Sequence, residues 1–333
     1  MPATDASLAR RPDAGDRFLT VVGESLVDII SDPRRPEKIQ AHPGGSPLNV
    51  AVGAARLDLQ TTLVTHYAED RYGLMIDQHL RSNNVRVING GTSATSTALA
   101  ALGTDGAAHY TFSIDWDING ASLPALAAVE GSTHVHTGSI ATMLRPGDKA
   151  TLALVKAARK NATVSYDPNC RPAISPDVAE ARNRAELFVT ASDIVKASDE
   201  DLSWLYPDRT PEQTMAAWLE LGPAIVALTR GASGPVVLAR QGRVEMAAEP
   251  ITVADTVGAG DSFMAGLISG LSQLDALGAS GRQRLENLTP DEMNALAAYA
   301  NRAAAITCSR QGANPPRSAE LGPMPVPSPA QQA

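Results

Sequence analysis

A glycine loop that ends in a carboxylate is the part of the sequence best equipped for chemistry. The loop Gly258–Gly260 is followed directly by Asp261. Ile251–Val253 before it is predicted to be a short strand, and Ser262–Leu271 after it an amphipathic helix. Backbone N–H groups at a helix start lack intrahelical partners and lie at the positive end of the helix dipole. The loop therefore suits an anion, above all a phosphate.

Asp261 is an unusual residue in a site that suits anions, and two interpretations of it are open. As an N-cap, the aspartate would only satisfy backbone N–H groups of the following helix. As a general base, it would take the proton from a hydroxyl group that attacks a phosphoryl group held by the loop. The loop alone does not decide between the two.

A second glycine motif lies near the N-terminus. Gly44 and Gly45 precede Ser46, a good N-cap, and Pro47, a good first helical residue. A helix should therefore begin just after the two glycines, with Asn49 in its first turn. A plain loop-to-helix turn would explain this motif up to the proline, but it gives no reason for the amide of Asn49. Gly45 would let a ligand approach the backbone closely.

The chain between these motifs alternates short β-branched runs with helical segments. The predicted strands are Phe18–Val22, Thr62–Thr65, Thr133–His136, Thr163–Tyr166, Asp193–Lys196, Ile225–Thr229 and Val236–Leu238. The predicted helices are Pro47–Leu57, Gly73–Ser82, Asp148–Arg159, Asp199–Leu205, Glu212–Leu221, Ser262–Leu271 and Asp291–Thr307. This alternation predicts an α/β fold with a mainly parallel sheet between helices. Ligands in such folds bind beyond the carboxyl ends of the strands, where Asp28, Asp167, Asp199 and Asp255 are expected.

Two segments break the alternation. Leu26–Ser31 and Thr97–Asp117 have strand character without a helix between them and their neighbours. In the second segment four apolar residues alternate and would share one face of a strand: Tyr110, Phe112, Ile114 and Trp116. That face is expected either to cover a ligand or a second subunit, or to pack on the main body.

Composition excludes several classes of function. The chain has 333 residues, 44% of them hydrophobic, and a net charge of −8, which argues against a nucleic-acid partner. Two cysteines give no disulfide framework. No signal peptide and no long apolar run is found, so a cytoplasmic protein without a membrane partner is expected. His134 and His136 share a strand face but have no third ligand nearby, so they are expected to be core or surface residues. There is no Walker A sequence and no dinucleotide fingerprint.

The two glycine motifs together resemble those of a known family. Asp255–Asp261 matches the D-T-x-G-A-G-D signature of the PfkB (ribokinase-like) carbohydrate kinases at every specified position, and Gly44–Asn49 resembles their N-terminal Gly-Gly motif. The resemblance implies a ribokinase-like fold with one kinase domain over residues 17–314. A small β-sheet lid is expected from about 26–43 and 92–118. Residues 1–16 and 315–333 are expected to be flexible tails.

The resemblance also implies residue roles. Asp261 would be the catalytic base, with the backbone N–H groups of Gly258, Ala259 and Gly260 around the transferred phosphoryl group. The implied sugar contacts are Asp28, Gly44, Gly45, Asn49 and Arg171. The implied ATP contacts are Ser198, Thr229, Gly231, Gly258, Gly260 and Asn301. Asp201 would hold Mg²⁺ through water, and a monovalent cation such as K⁺ would lie among Asp255, Val257, Thr307, Arg310 and Gly312.

Some of these roles have open alternatives. Asp167–Arg171 resembles the D-P-N-x-R segment of fructokinase-like members, but it would also fit a Pro-stabilised turn with a surface arginine. Ser198 and Asp201 stand where the family's N-x-x-E segment has Asn and Glu, which puts their direct contacts in doubt. A capping role for Ser198 ahead of an acidic first turn is an alternative.

The expected activity is phosphorylation of a primary hydroxyl of a small sugar by MgATP, with D-fructose the leading acceptor. Ribose, 2-keto-3-deoxygluconate and nucleosides are alternatives, and the sugar acid would need a cation at Arg34, Arg35 or Arg171. A non-catalytic sugar or nucleotide sensor and a dinucleotide-dependent oxidoreductase are alternatives from other classes. The exposed aromatic face predicts a homodimer.

Overall fold

The computed structural model describes residues 17–31, 39–102 and 108–325. Residues 1–16 and 326–333, which the sequence assigns to tails, lie outside the described residues, as do Arg34 and Arg35. None of the helices in the described ranges has the length and apolar content needed to span a bilayer.

The described residues contain a nine-stranded sheet and a four-stranded sheet. The large sheet has the order β13-β12-β11-β10-β9-β8-β1-β4-β5, and only β12 and β13 are antiparallel to their neighbours. Its strands are Phe18–Val22 (β1), Gln60–Thr65 (β4), Arg86–Asn89 (β5), His134–Gly138 (β8), Thr163–Asp167 (β9), Ile194–Ser198 (β10), Ile225–Thr229 (β11), Val236–Ala239 (β12) and Gly242–Glu245 (β13). The predicted mainly parallel sheet is confirmed.

Helices cover both faces of the large sheet. They are Ser46–Arg56 (α1), Arg71–Ser82 (α2), Ser122–Glu130 (α3), Ile140–Met143 (α4), Gly147–Ala158 (α5), Val178–Thr190 (α6), Asp199–Leu205 (α7), Pro211–Glu220 (α8), Ala259–Gln273 (α9), Arg282–Leu285 (α10), Pro290–Cys308 (α11) and Ser318–Leu321 (α12). Strand β11 shows why two layers form, because its apolar residues alternate between two core clusters. Ile225 and Ala227 belong to the cluster beneath α1, α9 and α11, whereas Val226 and Leu228 belong to the opposite one.

The small sheet has the order β3-β2-β6-β7 and stands apart from the large one. Its strands are Leu26–Ser31 (β2), Gln40–Gly44 (β3), Ser96–Leu102 (β6) and Ala108–Ser113 (β7). Strands β6 and β7 are antiparallel, so the predicted segment Thr97–Asp117 is two strands rather than one. The paired residues Asp28, Ala98 and Phe112 lie in one row across the sheet, and Ile30 and Ala100 begin the next.

Trp116 does not belong to the face on which the sequence places it. Strand β7 ends at Ser113, and Trp116 is fully buried in the main body, where its indole Nε1 donates to Thr151 Oγ1 at 3.1 Å. The side chain of Tyr110 lies outside the described residues, whereas Phe112 and Ile114 line a cavity beneath the small sheet. Burial of a whole indole outweighs the local strand alternation.

Two further predictions are wrong. Ile251–Val253 is not a strand but part of an irregular loop before α9. Residues 315–325 are not a loose tail, because Leu321 and Met324 are each 3% exposed and join the core cluster beneath α9 and α11. Arg56 also donates from Nη1 to the carbonyl of Pro315 at 2.7 Å. The Pro- and Ala-rich composition of this segment indicated a tail, and its two buried apolar residues, Leu321 and Met324, were overlooked.

Candidate active site

A cavity of about 950 Å³ lies where the strand order of the large sheet reverses. Strands β4 and β5 lie on one side of β1, and β8 to β13 lie on the other side in chain order. The strands that follow β1 and β8 in the chain therefore lie on opposite sides of this pair, and α/β sheets bind ligands beyond the carboxyl ends of strands at such a point. The small sheet forms one wall of this cavity through Leu26, Asp28, Ala98 and Phe112.

Asp261 lies in the cavity wall and is held from the other glycine motif. Ser46 Oγ donates to its Oδ1 at 2.6 Å, and Asn49 Nδ2 donates to its Oδ2 at 2.8 Å. The N-cap position of α9 belongs to Gly258, which makes Asp261 the third residue of the helix. The N-cap interpretation of Asp261 is therefore wrong. Its carboxylate is oriented by two donors from α1, 215 and 212 positions away in the chain.

The Gly258 loop has the conformation that an anion site requires. Gly258 has φ 75°, in the left-handed region, and a Cβ on it would lie 2.7 Å from Ala313 Cβ. The loop thus needs glycine at this position both for its backbone conformation and for space. Helix α9 begins at Ala259, and its start lines the cavity. The Ala259 N–H also donates to the Thr256 carbonyl at 3.3 Å, which closes the turn before the helix.

The other motif also starts a helix at the cavity, but one residue earlier than predicted. Gly45 is the N-cap of α1 with φ 106°, and a Cβ on it would lie 2.7 Å from the Glu24 carbonyl oxygen. Ser46 is the first helical residue and not the cap. Its hydroxyl is therefore available to Asp261, a role that the sequence did not indicate.

Asp28 and Arg171 lie at the end of the cavity beneath the small sheet. Asp28 lies within β2, not after a strand of the large sheet, and a Cβ on Gly44 would come 2.2 Å from its Oδ2. Burial raises the pKa of Asp28, and the charges of Arg171 and His42 oppose that rise. Gly44 does not line the cavity, so its effect is to leave room for the Asp28 carboxylate.

Arg171 is exposed, and its own loop orients it. Its Nη1 donates to Asn169 Oδ1 at 2.7 Å and to the Cys170 carbonyl at 3.0 Å. Both Arg171 and Asn169 line the cavity. The arginine is therefore a cation at the cavity that is not bound to another element by these contacts.

Ser198 and Asp201 form a capping box at the start of α7. Asp201 Oδ2 accepts the Ser198 N–H at 2.9 Å, and Oδ1 accepts the Cys170 N–H at 2.7 Å. Both residues line the cavity, but both carboxylate oxygens are occupied by backbone donors. No group of three or more His, Cys, Asp or Glu side chains in the described ranges could hold a metal ion. The capping box supports the capping role of Ser198, and a magnesium ion held by Asp201 through water stays a prediction.

The predicted nucleotide contacts lie at the other end of the cavity. Thr229 ends β11, and Gly231 begins the following turn with φ 49°. Asn301 on α11 donates from Nδ2 to the Ala247 carbonyl at 2.9 Å, which ties down the loop before α9. All three predicted residues line the cavity, and parts of that loop do as well.

The predicted cation site is assembled in part. Asp255 Oδ1 accepts the Val257 N–H at 3.1 Å, and Oδ2 accepts the Gly312 N–H at 2.9 Å. These hydrogen bonds lower the pKa of Asp255. The carboxylate thus joins the segment before α9 to the turn after α11.

Thr307 and Arg310 are less suited to that site. The Thr307 side chain is fully buried, and its hydroxyl donates to Ser262 Oγ at 2.7 Å. The Arg310 guanidinium forms an ion pair with Glu320. A cation here would have to bind their backbone carbonyls, and the Thr307 carbonyl already accepts the Arg310 N–H at 3.0 Å.

Two buried acidic or basic residues of the cavity were missed from the sequence. Glu24 follows β1 and is buried, and its Oε2 accepts the Ala141 N–H at 3.0 Å. Its Oε1 has no partner among the described residues, and burial raises the pKa of Glu24 to about 7. Lys196 on β10 is buried, and its Nζ donates to Asp167 Oδ2 at 2.8 Å. An ionisable residue at the carboxyl end of an apolar strand was the available signal for both.

Asp167 and Lys196 remain a charged pair. Burial raises the pKa of Asp167 to about 6, with the Lys196 charge opposing it. Burial alone would lower the pKa of Lys196, but the charges of Asp167, Asp201 and Asp261 outweigh it and raise the pKa.

His134 and His136 are core residues, as expected. Both are fully buried, and both rings bond to Ser165 Oγ, at 2.8 Å and 2.9 Å. Burial lowers the pKa of each to about 3, so the two rings are neutral.

Comparison with known proteins places this geometry in context. Residues 16–320 match the sequence pattern of the pfkB family carbohydrate kinases. A fructokinase of Rhizobium leguminosarum bv. trifolii is 31% identical over 256 residues, covering 75% of this chain and 78% of that protein.

Two solved structures have the same arrangement of elements. One is a double-mutant fructokinase from Vibrio cholerae O395 bound to fructose, ADP and a potassium ion, with TM-score 0.75 and 25% identity over 93% of this chain and 98% of that chain. The other is an uncharacterized sugar kinase from Pyrococcus horikoshii in complex with ATP, with TM-score 0.74 and 25% identity over 91% and 96%. These similarities cover nearly the whole of the two-sheet fold.

Proposed function

The chain belongs to the pfkB family of carbohydrate kinases, and we propose that within this family it phosphorylates a primary hydroxyl of D-fructose. It has the ribokinase-like α/β fold and is an ATP-dependent sugar kinase. One observation carries the proposed chemistry: the Asp261 carboxylate is fixed by Ser46 and Asn49 beside the Gly258 loop. The fructokinase relatives support fructose as the acceptor.

Asp261 is the proposed general base. The sugar hydroxyl oxygen forms a bond to the γ-phosphorus of ATP, the bond from that phosphorus to the β–γ bridging oxygen breaks, and Asp261 takes the hydroxyl proton. Phosphoryl transfer leaves the protein little covalent work, so position and charge dominate. Backbone N–H groups of Gly258–Gly260 stabilise the charge on the phosphoryl oxygens. Magnesium would enter on the phosphates of ATP, as is implied by the family.

The proposed sugar site lies between the small sheet and the two helix starts. Asp28 would accept hydrogen bonds from sugar hydroxyls, and Asn49 and the Gly45 backbone would approach the sugar from α1. Arg171 would cover the open side. Phe112 and Ile114 support a lid role for the small sheet, because they line the cavity from above and would exclude water.

A panel of acceptors tests this substrate. Coupled ADP release is measured with fructose, ribose, 2-keto-3-deoxygluconate and nucleosides, and fructose should give the highest kcat/KM. A sugar acid that exceeded fructose tenfold would point instead to Arg171 as a carboxylate contact. Absence of ADP release with every acceptor would favour a sensor.

A potassium ion near Asp255 is part of the proposal. The carboxylate holds the segment before the Gly258 loop to the Gly312 turn, so a cation there would order the loop without touching the sugar. A potassium-bound fructokinase of the same fold supports it. Activity should be higher in potassium than in a bulky organic cation at matched ionic strength, and equal activity in both would contradict this role.

A homodimer through the small sheets is the last element of the proposal. The row of the small sheet beyond Asp28 carries Ile30, which is 42% exposed, and Ile39 before β3 is also exposed. Two copies meeting at this face would cover these apolar side chains. Light scattering at micromolar concentration should report a dimer, and Ile30→Asp should convert it to a monomer. A monomeric wild-type protein would contradict this assembly.

A further inference from the structure

Lys196 is a buried ammonium in the wall of the cavity. Its residue is 4% exposed, whereas the other three lysines in the described ranges are exposed. Burying a charge is costly unless it is paired, and Asp167 Oδ2 supplies a partner at 2.8 Å. Lys196 lines the cavity and Asp167 does not, so a ligand in the cavity meets the positive member of this ion pair.

The ammonium is in direct contact with the glycine loop. A Cβ on Gly260 would lie 2.7 Å from Lys196 Nζ. Gly260 is not in the left-handed region, so its backbone conformation alone does not require glycine. A Cβ at this position would instead have to displace the lysine ammonium. Lys196, on β10, therefore meets the Gly258–Gly260 segment at Gly260, whereas Ser46 and Asn49 of α1 meet Asp261, the next residue.

Lys196 also has donors to spare. An ammonium group carries three N–H donors. Within the described residues, Asp167 is its one hydrogen-bond partner. Asp167, Asp201 and Asp261 keep the group protonated, since their charges raise the pKa of Lys196 despite its burial.

We propose that Lys196 is a further catalytic residue, whose ammonium donates a hydrogen bond to the phosphoryl group as it passes from ATP to the sugar at the Gly258–Gly260 loop. This rests on the proposed function, in which that loop binds the transferred group. Lys196 exchanges no proton in the step. The hydroxyl proton goes to Asp261, and the ammonium offsets negative charge on the phosphoryl oxygens, where a fixed donor is most effective.

The competing explanation is that Lys196 only neutralises Asp167, and a set of variants separates the two. Lys196→Met removes the charge at similar length, Asp167→Asn removes its partner, and the double variant removes both. Because a buried pair can be replaced as a unit, the double variant should recover the stability lost in Lys196→Met. Lys156→Met, on the exposed face of α5, is the matched control and should behave as wild type.

The proposal predicts that kcat falls about 10²–10³-fold in Lys196→Met and in the double variant, as for loss of one transition-state donor. ADP affinity should change less than about threefold, because ADP lacks the transferred group. Recovery of kcat in the double variant would overturn the proposal. So would a loss in Asp167→Asn as large as that in Lys196→Met, because the pair would then act as a structural unit.

Nuclear magnetic resonance of the wild-type protein tests the contact even if these variants fail to fold. The sequence has five lysines, and a buried ammonium exchanges its protons slowly enough for detection after ¹⁵N-lysine labelling. The Nζ resonance of Lys196 should shift more with the β,γ-methylene analogue of ATP than with ADP. An equal response to both nucleotides would overturn the proposal. Neither result depends on fructose, so failure of the acceptor panel remains a separate outcome.

Discussion

Ser46→Ala isolates the orientation of the Asp261 carboxylate from its presence. The substitution removes the 2.6 Å hydrogen bond from Ser46 Oγ to Asp261 Oδ1 and leaves the bond from Asn49 in place. Hydrogen bonds to charged groups contribute about 1.5–3 kcal/mol. If the transition state uses this orientation in full, kcat should fall by about 10- to 150-fold. Coupled ADP release at saturating fructose and ATP measures the change.

Ser132→Ala is the matched control for a loss of stability alone. Ser46 and Ser132 are similarly buried, at 6% and 5% exposed. Ser132 precedes β8, at the opposite end of the sheet from the cavity, and its Oγ lies 2.7 Å from Thr20 Oγ1. Both variants should lower the free energy of unfolding by about 1–3 kcal/mol, but only Ser46→Ala should lower kcat. A Ser46→Ala enzyme with the kcat of Ser132→Ala would refute the orienting role.

Two other variants test the neighbouring residues. Burial raises the pKa of Glu24 from 4.5 to about 7. Between these two pH values the folded protein keeps a proton that the unfolded chain releases. The free energy of unfolding therefore falls by roughly 3 kcal/mol as pH rises through this range. Urea unfolding at about pH 4 and about pH 8 should show a smaller fall for Glu24→Gln than for wild type, and equal falls would contradict the burial effect. Gly44→Ala places a Cβ 2.2 Å from Asp28 Oδ2, so it should raise the KM for fructose about 10- to 150-fold and leave the KM for ATP unchanged. A normal KM for fructose in that variant would remove Asp28 from the sugar site.

The alternation of strands and helices was predictable because its signals are local. Apolar periodicity and β-branched runs located most elements of the large sheet within a few residues. The edge strands β5 and β13 were missed, since each is only four residues long and partly exposed. Ile251–Val253 is the converse error, a strand predicted where none forms. Its side chains favour a strand, but no strand of the described residues pairs with it.

The contacts within the site depend on residues far apart in the sequence, which local patterns cannot relate. Serine is a residue type typical of N-caps, but Gly45 occupies the N-cap position with φ 106°. The Ser46 hydroxyl donates to Asp261 instead. Lys196 looked like the end of an apolar strand, and only the fold places its ammonium against Gly260. The two glycine motifs were found from the sequence, but their meeting at one carboxylate was not.

Asp261→Asn tests the central claim, that this carboxylate is the catalytic base. Asparagine keeps the size of the side chain but cannot accept the hydroxyl proton. Typical general-base contributions are about 10²–10⁴ in rate, so kcat should fall by that factor. ATP affinity should hold or rise, since a negative charge near the phosphates is removed. A folded Asp261→Asn variant that binds ATP and keeps more than about a tenth of wild-type kcat would contradict the assignment.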